Sequence, residues 1–319
     1  MGAEQSTAGV GGLLAARELL VAEANKTDED DLEVDDVDML LKKLGAGLAR
    51  APSDALHYTC RALEDRDLRA LSALAVLQPA KCTLLRSVNL SHNHIGNAGA
   101  VALGKALSSG APAMRKLFLH ENCIGDDGVT ALALSMRPSG APHLRDIRLA
   151  FNRFGDAGMV ALAEAWGEGG GAELRELNVS ANEIGDEGFA ALVGALPSAP
   201  HLQVLALGSS NGGNHVTDAG AQVLARMLEG GEARAHGPLT INLKNNRLTL
   251  EAESLLLKPN TRKTISIVCR TQSIKRDFGD VVSPSTTPTN SRHSTPISSR
   301  HSTPISTPVG KAPGSPYEA

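Results

Sequence analysis

The chain has 319 residues, of which 42% are hydrophobic, and a formal net charge of −4. So near to neutrality it carries no global basic field to recruit nucleic acid. It has no run of about 18 apolar residues that would read as a membrane-spanning helix. Its four cysteines, Cys60, Cys82, Cys123 and Cys269, form no CxxC pair. That pattern suits a reducing compartment, so an intracellular, cytoplasmic location is expected.

Residues 1–52 read as a polar, helix-rich entry. Met1-Gly2-Ala3-Glu4-Gln5-Ser6 matches the pattern for acylation at Gly2. The nearby charge is acidic, however, and one acyl chain holds a membrane only marginally without a basic patch. The apolar stretch from Val10 to Ala24 carries Arg17, Glu18 and Glu23, so it reads as an amphipathic helix and not as a signal peptide. Between Asp28 and Asp38 eight of eleven residues are acidic. The glycine and closing glutamate of a calcium loop are missing there, which leaves a solvated acidic segment before a helix from Asp36 to Leu48.

Residues 53–279 are built on a repeat. Asn93, Asn122, Asn152, Asn182, Asn214 and Asn246 recur at intervals of 29, 30, 30, 32 and 32 residues. Four copies keep the frame L-x-x-L-x-L-x-x-N-x-I-G, as in Leu174-xx-Leu177-x-Val179-xx-Asn182-x-Ile184-Gly185. Alternating apolar positions predict a short strand with one buried face. The asparagine amide is expected to bond backbone groups of the loop that follows. Gly96, Gly125, Gly155 and Gly185 are expected to permit a turn that other residues resist. Asp126, Asp156 and Asp186, with Asn97, are expected to cap the helix that begins there. Weaker copies flank these: Arg61 stands at the asparagine position of an early one. Asn214 arrives four residues late, behind a bulging loop at 208–213. Degenerate end copies are expected where terminal units face water.

The last part, 280–319, is rich in Ser, Thr and Pro, and repeats SRHSTPIS at 291–298 and 299–306. Its composition predicts disorder. Ser283, Thr287, Thr295, Thr303, Thr307 and Ser315 each precede proline, as a proline-directed kinase requires. Two phosphates would reverse the sign of a tail whose net charge is +2 from Ser283 onward.

These repeats resemble the ribonuclease-inhibitor-like subclass of leucine-rich repeats, the long units also found in NOD-like receptors, Ran GTPase-activating proteins and tropomodulin. The resemblance covers about residues 53–270. It implies an α/β solenoid, a horseshoe with a parallel sheet on the concave side and helices on the convex side. It also implies protein partners without naming them.

No catalytic, cofactor or metal site is expected. The near P-loop Gly99–Lys105 has Ala106 where Ser or Thr is needed, and it lies within a predicted helix. Arg86, Arg115, Arg145 and Arg175 form a ladder before the strands, and read as part of the repeat consensus. The positions expected on the concave face vary more from copy to copy. Phe118, His120, Glu121, Arg148 and Phe151 cluster there, with His92 and Asn178 beside them. Aromatics with an arginine suit a binding hot spot. A sheet of eight strands presents roughly 500 Å², below the ~800 Å² per partner of a standard interface, so flanking loops, including 208–213, are expected to join it. The resulting expectation is a non-enzymatic scaffold or adaptor that binds a protein, with a phosphorylatable tail. The alternatives are a GTPase-activating protein of the Ran-activator type and an actin-binding repeat protein.

Overall fold

The computed structural model describes residues 21–22, 54–77, 84–138, 140–229, 238–257 and 265–269. Gly2, the acidic run and all six candidate phosphosites lie outside them. The chain divides into units Met1–Ser273 and Ile274–Ala319, and every described residue belongs to the first.

Strand and helix alternate through that unit. β1 (Ala55–His57) leads to α1 (Asp65–Leu77), β2 (Ser87–Asn89) to α2 (Asn97–Gly110), and β3 (Lys116–Phe118) to α3 (Asp126–Ser135). β4 (Asp146–Arg148), α4 (Asp156–Ala165), β5 (Glu176–Asn178) and α5 (Asp186–Ala195) follow. β6 (Val204–Ala206), α6 (Asp218–Glu229), β7 (Leu239–Asn242), α7 (Leu250–Leu256) and β8 (Ile265–Val268) complete the series. The eight strands form one sheet in sequence order, each parallel to its neighbour. The chain is thus an α/β solenoid, in which each repeat packs on the one before.

Six of the eight strands are three residues long, and in β2 to β6 only the central residue is buried. Val88, Leu117, Ile147, Leu177, Leu205 and Ile241 stack in register as one apolar column, each at most 4% exposed. Leu90, Leu119, Leu149, Val179, Leu207 and Leu243 form a second column, one step past the strands. Full burial of each such side chain contributes about 1.5–3 kcal/mol. Trp166, which follows Leu162 by four, is wholly buried in the same core.

The asparagines do more than the repeat frame alone predicts. Asn93 Oδ1 accepts from the amides of Arg61 and Leu63 at 3.0 Å, both in the preceding repeat. Its Nδ2 donates to Tyr58 O and Leu90 O at 2.8 Å, so one amide ties two loops together. Asn152 repeats the pattern, bonding Ile124 N, Leu119 O and Leu149 O. Asn214 does too, despite its late arrival: it accepts from Ile184 N and donates to Val179 O and Leu207 O. Arg61 occupies the asparagine position of the first repeat.

Two expectations about the turns need correction. Asp126, Asp156 and Asp186 do not cap their own helices. Asp126 Oδ1 instead accepts from Gly155 N and Gly158 N at 2.8 Å, at the start of the next repeat's helix. Asp156 reaches Gly185 N and Gly188 N in the same way, and Asn97 reaches Gly125 N and Gly128 N. An intrahelical cap would leave the neighbouring amides unpaired, whereas this arrangement satisfies them across the repeat boundary. The turn glycines do not have left-handed backbones either: Gly125 has φ −101° and Gly185 has φ −98°. The constraint there is space. A Cβ on Gly185 would lie 3.0 Å from Asp156 Oδ2.

Candidate functional site

The residues that alternate with the buried column point away from the helices. Asn89, Phe118, Arg148 and Asn178 lie side by side in register on β2 to β5. The Arg148 guanidinium sits over the Phe118 ring, 4.8 Å from its centroid. Two carboxylates hold it there: Asp146 Oδ1 at 3.2 Å from Nε, and Glu176 Oε1 at 3.3 Å from Nη2. The arginine is therefore fixed in place before any partner arrives, with 40% of its side chain still exposed. A cation stacked on an aromatic ring at an exposed site contributes about 0.5–1 kcal/mol. Asn178 is half-buried, as Phe118 and Arg148 are. Its Oδ1 accepts from Ser180 N at 3.1 Å, as Asn89 and Asn242 accept from Ser91 N and Lys244 N.

One step further along, the rings of His92 and His120 meet edge to face with centroids 5.0 Å apart. His92 Nδ1 lies 2.8 Å from Glu121 Oε2, and His120 Nδ1 lies 2.7 Å from the buried Ser91 Oγ. Burial, and then the neighbouring His92 and Arg148, push His120 below the usual imidazole value, against the pull of Glu121. The structure thus brings Phe118, His120, Glu121, Arg148 and His92 together. Phe151 lies at the rim of the same patch and is 37% exposed.

The sequence gives no sign of one feature of this patch. His92, Glu121, Phe151 and Ala181 all have positive φ, between 55° and 58°. They occupy one position, the residue before the asparagine, where the chain reverses out of the strand. Cys60 and Asn245 hold that position in the first and a later repeat, and of these residues only Asn245 and His92 are of types enriched in that conformation. A glycine or asparagine run would have revealed the turn. Three of the seven candidate binding residues share this backbone with Cys60, Ala181 and Asn245, so it belongs to the repeat frame.

The bulging loop borders the patch. Ser209 N donates to Gly212 O at 2.8 Å, and Asn245 Nδ2 donates to Ser209 O at 2.8 Å, so the loop is a closed turn fastened to the next repeat. Gly208 and Gly213 let it lie there: a Cβ on either would fall 1.8 or 2.0 Å from the carbonyls of Lys244 and Asn245. At Gly212 a Cβ would be 2.7 Å from Ala181 Cβ and 3.6 Å from the Phe151 ring.

The arginine ladder splits in two. Arg145 is engaged by Glu173 Oε2 at 3.0 and 2.8 Å, and His143 Nδ1 lies 2.8 Å from the other oxygen of that carboxylate. The bonds from Arg145, and then that with His143, hold Glu173 below the usual carboxylate range. Arg86, Arg115 and Arg175 are exposed and make no ion pair among the described residues. The near P-loop at Gly99–Lys105 lies inside helix α2. No group of three or more His, Cys, Asp or Glu placed to hold a metal ion occurs among the described residues.

The family model described as "Leucine Rich repeat" matches residues 81–104, 114–133, 140–163 and 174–193. These are repeats whose asparagine bridges and apolar columns are described above, and over those residues the chain carries leucine-rich repeats. Among solved structures it is similar to an internalin (inlF) from Listeria monocytogenes, with 18% identity and a TM-score of 0.37 over 66% of this chain and 51% of that one. The chain thus spans about half the length of that internalin. It is also similar to a pollen receptor kinase 3, with 17% identity and a TM-score of 0.30 over 69% of this chain and 73% of that one. A third similar structure is the plant peptide hormone receptor RGFR1 in complex with RGF2, at 15% identity and TM-score 0.30, covering 62% and 29% of the two chains. No curated protein sequence matches the chain.

Proposed function

We propose that the protein is a non-enzymatic scaffold or adaptor that binds a protein through the open face of its sheet. The docking patch is centred on Phe118 and Arg148 and extends over His92, His120, Glu121, Phe151 and Asn178. The 208–213 loop forms its boundary. One observation carries this reading: Arg148 is held over Phe118 by two carboxylates while 40% of its side chain stays exposed. Such an arginine loses little side-chain entropy when a partner covers it, and preorganisation of that kind marks an interface hot spot. The long repeats, with α-helices of ten to fourteen residues in α2 to α6, favour the ribonuclease-inhibitor-like subclass. An intracellular location and a tail phosphorylated by a proline-directed kinase are part of the same reading. Both rest on composition and on the six Ser-Pro and Thr-Pro sites.

The test is quantitative affinity purification of the full chain against a Phe118→Ala, Arg148→Ala double variant. Loss of the principal captured proteins supports the reading. A captured set identical to that of the wild type rejects the patch, and the scaffold reading would then have to move to another surface.

A further inference from the structure

Charge is unevenly spread along the sheet. On β4 and β5 most of the bases are engaged: Asp146 and Glu176 hold Arg148 and Glu173 holds Arg145, which leaves Arg175 as the one unpaired arginine there among the described residues. The β1–β3 end differs. There Arg86, Arg115 and Lys116 are exposed and pair with no carboxylate among the described residues. From the residue before each strand to the residue before the asparagine position, this end has those three cations and two carboxylates, Asp54 and Glu121. His57, His92 and His120 lie on the same three repeats, and the excess without them is one positive charge.

We propose, resting on the sheet-face reading above, that this end docks an acidic peptide segment of the partner. Its carboxylates lie over Arg86, Arg115 and Lys116 and its apolar side chain over Phe118 and Phe151, and its affinity rises as His120 takes a proton. Charge complementarity selects this occupant, because a basic segment would face uncompensated cations. The alignment is suitable in scale. Arg86 and Arg115 precede adjacent strands about 4.8 Å apart, and an extended peptide crossing the strands advances about 3.4 Å per residue. Two or three consecutive acidic residues therefore span the group.

The groups facing His120 fix the sign of the pH effect. His92 faces Glu121 and His120; His120 faces Ser91, His92, Glu121 and Arg148. In the free protein, burial, the neighbouring ring and the guanidinium disfavour the charged form of His120. A carboxylate delivered by the partner favours it, so binding takes up protons and tightens on acidification.

The probe is a displayed library of random dodecapeptides, panned on the full-length protein, with fluorescence anisotropy on the enriched peptides. The expected result is enrichment of Asp and Glu beside an aromatic or aliphatic residue. Affinity should rise at least about threefold between about pH 7.5 and about pH 5.5. It should fall about tenfold in an Arg115→Glu, Lys116→Glu variant and less in Arg115→Gln, Lys116→Gln. It should be unchanged by Arg226→Glu, which lies on the exposed side of helix α6. Thermal melting confirms that each variant is folded. Enrichment of basic or uncharged peptides, or an affinity independent of pH, overturns the proposal. Peptides that depend on Phe118 and Arg148 but not on Arg115 and Lys116 overturn it and leave the sheet-face reading standing. Peptides indifferent to both pairs, or no enrichment at all, reject both.

Discussion

Asp126 and Gly158 belong to different repeats, yet the Asp126 carboxylate accepts the Gly158 amide at 2.8 Å and thereby caps the helix of its neighbour. The same oxygen accepts from Gly155 N at 2.8 Å. Asp126 thus stands at the start of its own helix in sequence and stabilises the next one in space. Because Asn97, Asp156 and Asp186 make the same contacts, the line of caps couples successive repeats along the solenoid.

Removal of one cap should therefore destabilise more than its own repeat. Asp126→Ala is expected to lower the unfolding free energy by about 1–2 kcal/mol, measured by urea denaturation. Asp126→Asn should retain most of it, because Asn97 already fills this role one repeat earlier. Equal losses for Ala and Asn would mean that the contact contributes through charge alone.

Glycines on the helices separate packing from propensity. A Cβ on Gly188 would lie 2.7 Å from Asp156 Oδ1 and 2.8 Å from Met159 Cβ, whereas one on Gly194 would meet nothing within 4 Å. Both residues are in helix α5. Gly194→Ala should stabilise by about 0.5–1 kcal/mol through helix propensity, and Gly188→Ala should destabilise by at least about 1 kcal/mol through overpacking. Paired thermal melts decide this. A stabilising Gly188→Ala would show that the repeats can move apart at no cost.

Phe151 should dissociate stability from binding. Its φ of 56° is unfavourable for an aromatic residue, and Asn245 occupies the matching position in a later repeat. Phe151→Asn relieves that strain while it removes a ring that is 37% exposed. Stability should change by no more than about 1 kcal/mol, while affinity for a captured partner falls at least about fivefold. Calorimetric melting together with titration of the partner measures both. An unchanged affinity would remove Phe151 from the patch.

Stability should also fall on mild acidification. His120 is held below its unfolded imidazole value of about 6.5, so the unfolded chain binds the proton more readily. Its contribution to stability is full above that value and decreases as the pH drops toward the folded one. Glu173, held low by Arg145 and His143, acts in a separate and more acidic window: its contribution is full above the unfolded carboxylate value and is lost as the pH falls through the folded one. His120→Gln should flatten the melting-temperature profile just below about pH 6.5 and leave the carboxylate limb intact. A profile identical to wild type would show that His120 titrates normally.

Much of the fold was legible because its signals are local. The asparagine period and the alternation around Val88, Leu117, Ile147 and Leu177 predict parallel strands whose core residues the structure buries. Sequence proximity favours an intrahelical bond and so points the caps at the wrong helix. What carries Asp126 to Gly158 is the stacking of repeats, which no single repeat encodes. The site was legible as a set of positions, since Phe118 and Arg148 could be placed in adjacent strands by counting. Their stacking and the clamp by Asp146 and Glu176 arise between repeats, so periodicity does not report them; the positive φ of Phe151 recurs with the repeat, but no glycine marks it.

The most direct test of the sheet-face account is the dissociation constant of a captured partner for wild-type protein, the Phe118→Ala, Arg148→Ala variant, and a helix-face control such as Glu164→Ala. The account predicts a loss of at least about tenfold, roughly 1.4 kcal/mol, for the sheet variant and no change for the control. An unchanged constant for the sheet variant, or a loss confined to the helix-face control, would contradict it.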